Sequence, residues 1–88
     1  MTFTDTIYER YKQAKTDHPD AVILMRCGDF YETYDDDAVT CSKELGITLT
    51  KMYHPDWTSF RIAGFPYHAL DTYLPRLIRA GYKVCITD

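Results

Sequence analysis

Five apolar residues in a row, Ala21-Val22-Ile23-Leu24-Met25, followed two residues later by Gly28-Asp29, constrain this chain more than any other feature. The run is too short for an independent helix, and its β-branched members suit a pleated interior, so it reads as a buried strand. Glycine followed by aspartate can supply a tight two-residue turn, which makes Arg26 to Tyr34 a hairpin with Phe30-Tyr31-Glu32-Thr33-Tyr34 as its second arm. Successive strand side chains alternate faces, so Phe30, Glu32 and Tyr34 share one side and Tyr31 and Thr33 the other. On this pattern Phe30 and Glu32 point outward, with Tyr31 as their buried anchor.

Around the hairpin the pattern predicts alternating helices and strands. Ile7, Tyr8, Tyr11 and Ala14 recur at helical spacing over residues 4–17, with Thr6 and Glu9 as a possible capping box and His18-Pro19 as the stop. Asp35-Asp36-Asp37 precedes a second helix that Gly46 closes, and the three carboxylates read as a capping cluster at its positive end. Ile47 to Thr50 alternates as a short strand, Lys51 to Ser59 reads as a loop containing His54-Pro55-Asp56-Trp57, and Phe60 to Phe65 is extended. Pro66 introduces a third helix with Leu70, Tyr73, Leu74, Leu77 and Ile78 on one face, Arg76 and Arg79 toward solvent and Gly81 at its end. Pro75 removes a backbone donor and is expected to kink or split that helix. Tyr82 to Ile86 is a last strand. This order predicts an α/β domain, a mixed sheet of about five strands covered by helices.

Eighty-eight residues make one domain, 1–88, with an aromatic-rich core expected to fold alone. No apolar run approaches the roughly 18 residues that span a bilayer, and the start lacks a signal-peptide pattern, so a cytoplasmic protein without membrane contact is expected. Cys27, Cys41 and Cys85 are odd in number and lack metal-ligand spacing, so buried structural thiols are expected rather than a disulfide or zinc. A formal net charge of −3 argues against a free-standing, sequence-blind nucleic-acid binder. Any DNA contact must use a local patch or borrow basic surface from a larger protein. The abrupt end at Asp88 suggests either a trimmed chain or a domain cut from a longer one.

Several stretches in order carry a family resemblance: Tyr11-x-x-x-Lys15-x-x-His18-Pro19, Gly28-Asp29-Phe30-Tyr31-Glu32, Asp36-Asp37-Ala38, Leu49-Thr50-Lys51, Ala63 to Ala69, and Gly81-x-x-Val84-x-Ile86. Together they resemble the N-terminal mismatch-recognition domain, domain I, of the MutS DNA mismatch-repair family. The resemblance implies that Phe30 and Glu32 enter the minor groove at a mispaired or unpaired base, so that mismatched double-stranded DNA is the partner. Surrounding phosphate charge and desolvation would favour the neutral acid, so Glu32 is expected to be protonated when bound and to donate to the base. Cys27 stands where the family commonly has methionine, a smaller neighbour expected to loosen the packing around Phe30. Met52 stands where many relatives carry arginine, which would remove a phosphate contact, and Lys51 remains a candidate for the DNA backbone. His68 reads as a residue that caps or packs at the helix start rather than one that touches DNA.

The same resemblance places ATPase, clamp and dimerisation regions in later domains. This chain has no G-x-x-x-x-G-K-[ST] loop, so no cofactor is expected here; ATP and magnesium belong to a full-length family member. Contacts to other domains or subunits of a MutS-type protein are expected, and binding by the module alone should be weak and salt-dependent. Two alternatives stand beside this. One is a metal-dependent nuclease built on Asp29, Glu32, Asp35 to Asp37 and Lys51, which strand alternation disfavours by sending Asp29 and Glu32 to opposite faces. The other is a MutS-like protein-interaction module that has left DNA, a role the acidic balance suits.

Overall fold

The computed structural model describes residues 3–53 and 59–87. Helix α1 (Phe3–Asp17) leads into β1 (Ala21–Cys27), β2 (Phe30–Tyr34), α2 (Asp35–Leu45), β3 (Thr50–Tyr53) and β4 (Ser59–Pro66). A 3-10 turn (Tyr67–Ala69), α3 (Leu70–Arg79) and β5 (Lys83–Thr87) complete the order. The strands form one mixed sheet ordered β3-β4-β2-β1-β5, antiparallel except for the parallel β1–β5 pair. This is the α/β architecture expected, and the element order agrees throughout.

Two apolar clusters sandwich the sheet. Ile7 and Tyr11 of α1 pack on Ala21, Ile23, Met25, Tyr34 and Phe60. On the opposite face Val22, Leu24, Tyr31 and Phe65 meet Cys41 and Leu45 of α2 and Leu77 of α3. Alternation along β1 thus feeds both clusters, which is why its apolar run has no polar break.

A buried carboxylate joins the layers. In the β1–β2 register Met25 faces Glu32 and Cys27 faces Phe30. The β1–β2 pairing ends at Met25, so Ile23, two residues further back and paired with Cys85 of β5 on its other side, has no paired residue on the β2 side. Its N–H donates instead to Asp37 Oδ2 at 3.1 Å. Asp37 is 5% exposed and also accepts from the Tyr11 hydroxyl at 2.8 Å and the Lys15 ammonium at 2.9 Å. Asp35 accepts from Tyr8 at 2.7 Å and Asp36 from Arg61 at 3.0 Å. The acids lie in the first turn of α2, but no side chain caps it, so the expected capping cluster is a set of ties to α1, β1 and β4.

Other expectations are displaced. Thr6 lies inside α1, which begins at Phe3, rather than at the helix start. The third strand is Thr50–Tyr53 rather than 47–50, because Ser42 Oγ holds the Ile47 carbonyl at 2.7 Å as the chain leaves α2 and pairing with β4 begins only at Thr50. Lys51 and Met52 are therefore on an edge strand, not in a loop; the His54-Pro55-Asp56-Trp57 part of that loop lies outside the described residues. Pro75 sits inside α3 without splitting it, since the carbonyl deprived of its donor belongs to exposed Asp71, where water can replace the bond. Ile78 is 52% exposed rather than on the packed face. Of the three thiols only Cys41 is fully buried, and burial pushes it up to about 12; Cys27 and Cys85 are half-buried.

Candidate nucleic-acid interface

The turn between β1 and β2 is two residues long, and Gly28 supplies its left-handed φ of 58°. Three contacts fasten this tip. Arg26 Nε donates to the Gly28 carbonyl at 2.6 Å, and its guanidinium stacks over Tyr67 at 4.1 Å from the ring centroid. The Tyr67 N–H donates to the Asp29 carbonyl at 2.8 Å, joining the tip to the start of the 3-10 turn. Phe30 begins β2 directly after this tied turn and stands 49% exposed. An aromatic ring is thus held out by a braced backbone, with Tyr31 buried beneath it against Phe65.

Glu32 lies two residues along on the same face, half-buried. Tyr34, also on that face, donates its hydroxyl to Glu32 Oε1 at 3.4 Å. Cys27 is diagonal to Glu32 across the β1–β2 pair, and burial first, then the neighbouring Glu32 carboxylate, push its thiol up to about 11. On the other side Gly64 faces Glu32, and a Cβ there would stand 3.4 Å from Glu32 Cγ and 3.0 Å from the Tyr31 carbonyl oxygen. The missing side chain leaves Glu32 its space.

Phe30, Glu32, Thr50, Met52, Ile62 and Gly64 line a shallow groove of about 370 Å³. Met52 therefore faces the groove with Phe30 and Glu32. Lys51, its neighbour in β3, points to the opposite face, where it pairs in register with Arg61 and lies over the Tyr53 ring at 5.6 Å. The structure brings Phe30, Glu32, Cys27 and Met52 together and sets Lys51 apart. A somewhat larger hollow of about 400 Å³ lies between α1 and the start of α2, but two of its acids, Asp35 and Asp36, are already bonded to Tyr8 and Arg61.

This arrangement offers an exposed ring, a carboxylate beside it and a partly apolar groove. It suits an uncharged planar group better than a phosphate. The acids of the nuclease alternative are dispersed: Asp29 is in the turn, Asp35 to Asp37 are bonded to other elements, and no group of three His, Cys, Asp or Glu among the described residues is placed to hold a metal ion. His68 is exposed, its ring edge-on to Tyr67 at 6.1 Å, and it does not cap the helix start. Sequence reasoning missed Tyr34 and Gly64 as parts of the site. The signals were the shared parity of Tyr34 with Phe30 and Glu32, and an isolated glycine within a strand, which marks a close approach.

Comparisons with known proteins place the chain in a family. Residues 6–88 match the family model for MutS domain I. Similar proteins include the DNA mismatch repair protein MutS of Phocaeicola vulgatus, 56% identical over 80 residues, and that of Bacteroides thetaiotaomicron, 58% identical over 80 residues. Each alignment covers 91% of this chain and 9% of the relative. The MutS of Porphyromonas gingivalis is 52% identical over 82 residues, 93% of this chain and 9% of that protein. The chain thus spans about a tenth of the length of the curated relatives it matches.

Proposed function

This chain belongs to the MutS family, as its domain I, and on that premise we propose that it is the mismatch-reading module of a DNA mismatch-repair protein, with Phe30 entering the minor groove at a mispaired or unpaired base and Glu32 addressing that base. The observation that carries this reading is Phe30 itself: 49% exposed at a tied hairpin tip, with Glu32 next on the same face. Wedging a ring into a base step costs a few kcal/mol of unstacking, partly offset by stacking of about 1–3 kcal/mol per base. A mispair is already poorly paired and stacked, so the deformation costs less there and selectivity follows from the difference. A rigid tip favours this task, because the ring loses little freedom on insertion. Glu32, two residues along on the same face, hydrogen-bonds the base beside Phe30.

On this reading the module is not an enzyme, and ATP and magnesium are handled elsewhere in a full-length cytoplasmic protein. A net charge of −3 and the position of Lys51 on the other face give the module little electrostatic hold, so other MutS domains or subunits supply the grip. Fluorescence anisotropy at low salt, with mismatched and matched duplexes and with wild type and Phe30→Ala, tests the reading. The expected result is preference for the mismatch that Phe30→Ala abolishes; equal binding in all four cases sinks it. The acidic balance and the exposed Ile78 and Ile86 favour a second reading, a protein-interaction module that no longer binds DNA. No binding to either duplex, with retained association to other parts of a MutS protein, would select it.

A further inference from the structure

We infer that Cys27 and Tyr34 are positioning residues for Glu32, their thiol and hydroxyl holding its carboxylate in one orientation on the sheet face beside Phe30; the inference rests on the mismatch-reading role proposed for that acid. The three side chains come from adjacent strands and one face. Met25 is directly opposite Glu32 and Cys27 opposite Phe30, which makes Cys27 the diagonal neighbour of Glu32, within reach of a long side chain. Tyr34 reaches the acid from the other direction along β2, at 3.4 Å.

Tyr34 is itself immobilised. It is 1% exposed, and its ring meets those of Tyr8, Tyr11 and Phe60 at centroid distances of 5.5, 5.2 and 5.9 Å. Its hydroxyl is a fixed donor rather than a wandering one. The absent Cβ at Gly64 leaves Glu32 its space on the β4 side. Cys27 and Tyr34 are the titratable groups identified against Glu32; β3 and β4 bring Thr50, Met52, Ile62 and Gly64 to the shared groove. With its thiol pushed up to about 11, Cys27 stays protonated at neutral pH and serves as a donor, not as a nucleophile. A side chain held by two donors presents its oxygens to a base in a restricted set of directions, so the pair adds selectivity without touching DNA.

Two measurements test this. In the first, iodoacetamide alkylation of Cys27 in the 88-residue chain is followed by peptide mass spectrometry at pH 9, with buried Cys41 as an internal control for folding. Glu32→Gln removes the charge facing the thiol, and Cys27 is expected to react several-fold faster while Cys41 stays protected. An unchanged rate means that burial alone raises the thiol, and overturns the contact. In the second, the ratio of mismatched to matched affinity is measured at low salt. Cys27→Ala and Tyr34→Phe are expected to lower the ratio several-fold, Cys27→Ser to restore it, and neither loss to appear when Glu32 is already alanine. Losses of equal size without the carboxylate would make both residues merely structural and overturn the positioning role. A wild-type ratio of one would instead remove the mismatch reading and the selectivity role with it, while the alkylation rates still judge the Cys27–Glu32 contact.

Discussion

Tyr34 and Phe30 lie four residues apart on the same strand and the same sheet face, yet Tyr34 is 1% exposed and Phe30 is 49% exposed. The difference is α1. Its Ile7 and Tyr11 cover part of the face, where Tyr34 joins Phe60, Ile23 and Met25, while Phe30, Glu32 and Met52 lie outside that cluster and border an open groove. The covered end is core, and the open end carries the residues of the proposed site. Nothing in the chemistry of the two rings separates them; a tyrosine under a helix is core and a phenylalanine beyond it is an exposed surface ring.

The comparison is broken most severely at the buried carboxylate that ties α1 over the covered end. Asp37→Ala leaves the Ile23 N–H unpaired and Lys15, a third exposed, with only the Ala21 carbonyl, and a loss of about 3 kcal/mol is expected from urea unfolding. Its effect on mismatch preference should follow from unfolding alone. Phe30→Ala should show the reverse split: about 1–3 kcal/mol of mismatch affinity lost by anisotropy, with little change in the urea midpoint because half the ring is already in water.

Thr33 offers a smaller test from the far side of the same strand. Its hydroxyl is buried without a hydrogen-bond partner, so Thr33→Val should stabilise the fold by about 1 kcal/mol and leave DNA preference unchanged. Loss of preference there would mean that the two faces are coupled. A last test is alkaline pH. Cys27, raised from 9.0 to about 11, and Tyr8, raised from 10.0 to about 12, both hold their protons more tightly folded than unfolded. Their contributions are intact below pH 9 and 10 respectively, and are lost as pH rises toward 11 and 12. The urea midpoint should therefore fall gradually from pH 9 upward; a midpoint that rose would contradict the sign of both shifts.

Much of this was legible in the sequence. The apolar run before Gly28-Asp29 located β1 and the hairpin, and alternation placed Tyr31 and Thr33 inside and put Phe30 and Glu32 on one face. Lys51 was harder, because assigning it to a loop removed the parity that sends it to the face opposite Met52. The acid run was misjudged for a related reason. Carboxylates at a helix start look alike in sequence, and only the positions of Tyr8, Arg61, Tyr11 and Lys15 give each one a separate partner.

The sequence by itself determined the order of elements, the turn, the two-faced strand and the family, because these depend on short-range periodicity, on a glycine at the turn and on motifs kept in order. Tertiary structure alone decided which end of the face is covered, that Asp37 replaces a missing strand partner for Ile23, and that Cys27, Tyr34 and Gly64 surround Glu32. Those outcomes depend on where α1 lies over the sheet and on the registers joining β1, β2 and β4, and neither is written in any local pattern of residues.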